Sequence, residues 1–92
     1  MINVALIGLG RIGMMHAKNI LDHKYLNLHS IYEKNKILSK NAKKKFKCNV
    51  SKNFMDLYLN PKIDIIFIAS STSSHIKFID LGLKFKKTIF CE

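Results

Sequence analysis

Gly8, Gly10 and Gly13 are three of the four glycines in a chain of 92 residues, and they fall within six positions. A G-x-G-x-x-G spacing does chemistry when it sits at the turn from a buried strand into a helix. There Gly8 permits the tight turn, Gly10 lets a pyrophosphate approach the backbone, and Gly13 lets the helix pack close to the strand. The free N–H groups and positive dipole end of the helix then face the phosphates. Glu33, 20 residues past Gly13, supplies a carboxylate where a ribose diol needs an acceptor. Arg11 could reach the pyrophosphate or be merely solvated.

The surrounding elements are those such a turn requires. Ile2–Ile7 (INVALI) is an aliphatic run ended by glycine, which predicts a strand buried on both faces. Residues 11–22 predict a helix with Gly13, Ala17, Ile20 and Leu21 on one face. Leu26–Tyr32 predicts a second strand that ends at Glu33. Lys36–Phe46 predicts a helix with Leu38, Ala42 and Phe46 inward and lysines outward. Asn53 is placed to cap a short helix through Leu59, with Pro61 beyond its end. Asp64–Ala69 (DIIFIA) predicts another fully buried strand, and Thr88–Cys91 a last one. Between them Ser74–Lys86 predicts an amphipathic helix with Lys77, Asp80, Lys84 and Lys87 on its polar stripe.

Such alternation predicts an α/β domain, a parallel sheet with helices on its faces and right-handed crossovers. Five strands and four helices are expected, although no residues are assigned to the strand between the second and third helices.

Composition narrows the classes. The chain is 48% apolar and 24% charged, an ordinary globular balance for one domain or part of one. No stretch approaches a membrane span, and the N-terminus has no signal-peptide pattern, so a cytoplasmic location and no membrane partner are expected. Cys48 and Cys91 read as buried or half-buried free thiols rather than a disulfide framework. The net charge of +10 raises an alternative, a non-enzymatic basic module for nucleic acid or acidic partners. Such a module needs lysines converging on one face with aromatics or arginines among them. Lys36, Lys40, Lys43, Lys77, Lys84 and Lys87 are instead expected on the outer stripes of separate helices, and Lys43–Lys45 as a solvated face. No nucleic-acid partner is expected. The four histidines and six acids show no metal-ligand spacing, and no serine sits in a nucleophile elbow. His75 opens the helix after the serine-rich loop, where it could serve the site or bond the helix entry.

Four segments also resemble one family in its order and spacing. The run from Gly8 through Arg11, Ile12 and Gly13 to His16-Ala17, the strand Asp64–Ala69, the Ser70–His75 loop and the closing Ile89–Glu92 are similar to the N-terminal domain of the Gfo/Idh/MocA oxidoreductases. Within that family the first and third segments are most similar to inositol 2-dehydrogenases. The resemblance implies a Rossmann-type doubly wound parallel sheet, truncated before the family's second domain, with residues 1–92 as its dinucleotide-binding part. It implies an NAD-dependent dehydrogenase acting on a secondary alcohol of a polyol or sugar, a homo-oligomer at full length, with NAD favoured over NADP by Glu33.

By the same resemblance, Gly8, Gly10, Arg11, Ile12, Gly13 and Glu33 hold the cofactor, with Ser70, Ser71, His75 and Glu92 toward its nicotinamide end. His16 is implied near the cofactor, although its place on the helix fits a packed or half-exposed histidine at least as well, and Glu92 opens a Glu-Lys-Pro motif whose Lys lies near substrate. The family's catalytic Asp and His belong to the second domain, so no catalytic residue is expected among these 92, and the chain alone is expected to be inactive. Ser70-Ser71 replaces the common Thr-Pro, Glu33 a more common Asp, and Lys86 the usual Gly, which removes a left-handed C-cap residue.

Overall fold

Strands and helices alternate along the computed structural model, which describes residues 1–92. The order is β1 (Ile2–Ile7), α1 (Arg11–Asp22), β2 (Leu26–Tyr32), α2 (Lys36–Phe46), β3 (Asn49–Val50), α3 (Met55–Leu59), β4 (Ile65–Ile68), α4 (Thr72–Lys84) and β5 (Thr88–Cys91). Every pairing is parallel, in the order β3-β2-β1-β4-β5. The chain therefore winds outward from β1 in one direction, returns, and winds outward in the other. Its topological switch lies between β1 and β4.

Each face of the sheet has its own core. Val4, Leu6, Leu28 and Ile31 pack with Ala17 and Ile20 of α1 and Ala42 and Phe46 of α2. Ala5, Ile7, Ile66 and Ile68 pack on the opposite face with Leu57 and Tyr58 of α3 and Phe78 of α4. The period-two alternation along β1 and β4 feeds both layers, as a doubly covered strand requires. A register shift against β1 leaves His29 as the extra residue of β2. That bulge carries Ile31 onto the same layer as Leu28, which simple alternation would not do.

Two elements and one turn differ from expectation, and β4 is a residue shorter at each end. β3 has only two residues, too short for any periodicity to reveal it. α4 begins at Thr72 rather than Ser74, because Ser71 takes the extended N-cap conformation while the Ser74 hydroxyl folds back to the Ser71 carbonyl at 2.8 Å. Most of the expected serine-rich loop is thus the first turn of a helix. The left-handed turn after α4 also survives without glycine. Lys86 adopts φ 57°, and the next N–H bonds the Gly82 carbonyl at 2.9 Å.

Burial departs from expectation at the edges. Ile2 of β1 and Phe90 of β5 are exposed, and Ile65 and Phe67 of β4 are only half-buried. Cys48 is half-buried, with its thiol pKa raised by burial, whereas Cys91 is exposed on the edge strand. Lys87 leaves the expected polar stripe: its ammonium donates to the carbonyls of Asn60 and Ile63, each at 2.7 Å. No helix is long and apolar enough to cross a membrane.

Candidate dinucleotide site

The turn from β1 into α1 is held from three sides. Gly8 N–H donates to the Tyr32 carbonyl at the end of β2, and Ala69 N–H beyond β4 donates to the Ile7 carbonyl. Leu9 N–H donates to Glu33 Oε1 at 2.8 Å. Gly8 itself takes φ +100°, and a Cβ there would lie 2.7 Å from Ser70 N. Both backbone angle and space exclude a side chain at this position. At Gly13 a Cβ would collide with the Gly8 carbonyl oxygen, so the first turn of α1 rests directly on the glycine loop.

Gly10 is different. It caps α1 in extended conformation, and a Cβ built there meets nothing within 4 Å. No side chain caps α1 and no acid sits in its first turn. The N–H groups of that turn therefore face open space with the positive end of the helix dipole behind them, the arrangement an anion uses.

Beside this end lies a cavity of about 400 Å3. Gly8, Gly10, Glu33, Ser70 and Ser71 line it, so five of the expected positions converge on one cleft at the C-terminal ends of β1, β2 and β4. The other five stand elsewhere. Arg11 and Ile12 are exposed on the first turn of α1, and Gly13 is buried beneath the loop. The His75 ring donates from Nε2 to the Ser70 carbonyl at 2.8 Å, bracing the loop from behind. Glu92 lies 3.8 Å from His16 Nε2, which is buried with no hydrogen-bond partner while its ring packs against Phe67.

Glu33 does more than stand at the expected place. Its two oxygens accept from Leu9 N–H and Asn35 N–H, so one carboxylate ties the glycine loop to the entry of α2. A carboxylate has about four acceptor positions, which leaves capacity for a diol.

Sequence reasoning missed the opposite wall. Tyr32, Phe54 and Phe78 meet edge to face at 5.6 and 5.3 Å, and Lys77 holds its ammonium 4.3 Å from the centre of the Phe54 ring. Leu38 and Ser74 complete that side. Tyr32 was findable as the last residue of β2, directly before Glu33. Phe54 carried no signal, because only the return of the chain through α3 brings it there.

A Rossmann sheet with a glycine turn at its switch point and an open, uncapped helix end defines a dinucleotide-binding domain. The chain matches the model of the oxidoreductase family GFO_IDH_MocA, NAD-binding Rossmann fold, over residues 2–92, and it belongs to that family. It is 33% identical over 94 residues to a myo-inositol 2-dehydrogenase of Thermotoga maritima, covering 97% of this chain and 27% of that protein. It is 35% identical over 89 residues to the oxidoreductase YrbE of Bacillus subtilis, covering 95% and 26%. The crystal structure of scyllo-inositol dehydrogenase from Lactobacillus casei, with NAD(H) and scyllo-inositol bound, superposes with a TM-score of 0.90 at 29% identity. That match covers 99% of this chain and 27% of the other. The chain thus spans about a quarter of the length of these relatives.

Proposed function

We propose that this chain binds NAD in the cleft between the glycine turn and the aromatic wall. It serves as the dinucleotide-binding part, residues 1–92, of an enzyme that oxidises a secondary alcohol of a polyol or sugar, an inositol foremost. The observation that carries the reading is the open space at Gly10, against the uncapped end of α1 and beside Glu33. The donors and the cavity fit a dinucleotide. NAD, when bound, supplies the hydride acceptor.

The chain's own share is to bind and orient. Backbone N–H groups of Arg11, Ile12 and Gly13 neutralise the pyrophosphate, and Glu33 accepts from the ribose hydroxyls. Ser70 and Ser71, braced by His75, and Glu92 stand toward the nicotinamide end. The family resemblance puts the catalytic acid and base in a second domain, so the share proposed for these 92 residues is to hold the cofactor without turning over a polyol.

Glu33 sets the preference, since a 2′-phosphate would bring like charge against its carboxylate. Calorimetric titration of the chain with NAD and NADP tests the reading. Saturable binding with NAD the tighter is expected. No saturable binding, or tighter NADP, overturns it.

A further inference from the structure

The lysines of α2 stay on one helix stripe, apart from those of α4, but loop lysines join them. Lys34 at the end of β2, Lys36, Lys40 and Lys43 on α2, and Lys52 after β3 line a second hollow of about 560 Å3. Ser39 and Ser51 add hydroxyls, and Tyr32 and Val50 contribute half-buried walls. The spacing of Lys36, Lys40 and Lys43 puts all three on one stripe of α2, extending roughly 10 Å along it.

The charge in this hollow is mostly uncompensated. Five lysines face a single acid, Glu33, whose two oxygens are turned to the backbone N–H groups of Leu9 and Asn35. None of the five ammonium groups has a carboxylate oxygen within 4.0 Å, since the structure's single ion pair joins His16 to Glu92. Five like charges around one concave surface repel each other and focus a positive potential into it, which an anion relieves. Lys recognises phosphate as a point charge, so no planar fork is needed.

We propose that this hollow is a second anion site, one that takes phosphate groups and stands apart from the cradle at α1. The shared chemistry has two sources, a free phosphate compound or the 2′-phosphate of NADP. The length of the lysine row favours the first, because a 2′-phosphate beside Glu33 would engage only its near end. The site itself does not depend on the proposed function; only the NADP arm of the test does.

The probe is inorganic pyrophosphate, titrated into the chain at low ionic strength. One variant replaces Lys36, Lys40 and Lys43 with Ala, and a control of equal charge replaces Lys18, Lys62 and Lys84. The helical lysines are exposed, and Ala is the strongest helix former, so both variants keep the fold, checked by circular dichroism. The hollow variant should bind pyrophosphate at least tenfold more weakly, the control less than twofold, and NAD affinity should hold in both. Equal weakening in both, or no saturable binding by the parent chain, overturns the site.

Repeating the titration on dinucleotide-saturated protein separates the sources. Pyrophosphate affinity unchanged by NAD and NADP supports a free compound, and loss with NADP alone supports the 2′-phosphate. Loss with NAD as well would place the probe in the α1 cradle and overturn the hollow. Failure of NAD to bind would instead strike the dinucleotide reading and leave the pyrophosphate result standing.

Discussion

β1 and β5 are both short apolar strands of one sheet, yet they end in opposite circumstances. β1 has a strand on each edge and helices on each face, and Val4 through Ile7 are almost wholly removed from water. β5 has one neighbour. Phe90 stacks on Phe67 at 5.1 Å but stays 58% exposed, on the layer where the His16 ring of α1 packs against Phe67. Burial is conferred by what surrounds a strand, and apolar composition states only that burial is suitable. The glycine turn grows from the rigid strand, so the cleft is built on the part of the molecule with least freedom.

The sharpest test of that rigidity contrasts two glycines three residues apart. Gly13→Val drives a side chain into the Gly8 carbonyl and should cost about 3 kcal/mol or more in urea unfolding. Gly10→Val should cost no more than about 1 kcal/mol, the N-cap preference for Gly over Val, while weakening NAD at least tenfold, because the space it fills is the space the pyrophosphate needs. Equal stability losses in the two would erase the distinction between packing and binding glycines.

Truncation at the two strands should separate them next. Leu6→Ala in β1 is expected to cost about 3 kcal/mol. Phe90→Ala in β5 should cost less than about 1 kcal/mol, since most of that ring already meets water. It should also reduce self-association in sedimentation, because an exposed apolar edge strand is a pairing site. A larger loss at Phe90 than at Leu6 would reverse the comparison.

The smallest effect concerns the turn that delivers β5. Lys86 holds a left-handed conformation that disfavours a side chain, so Lys86→Gly should raise stability by about 0.5 kcal/mol, read as a higher thermal midpoint. A fall would mean that the Lys86 side chain contributes more than its backbone costs.

Much of this protein was determined by sequence alone, because local rules act over a few residues. Glycines spaced for a turn, aliphatic runs of strand length and helical periodicity placed β1, α1, β2, α2 and β5 at their observed bounds. The same rules placed Gly8, Gly10 and Glu33 at one cleft. Tertiary structure decided what depends on distant segments. A two-residue β3, a bulge at His29 and a helix beginning at Thr72 among five hydroxyl residues leave no periodic trace. Phe54 became a wall of the site, Lys87 a half-buried brace and five lysines one hollow because the sheet brought separate turns of chain together. Residue spacing governs neighbours along a strand or helix. Contacts across the sheet depend on strand order, which no local pattern encodes.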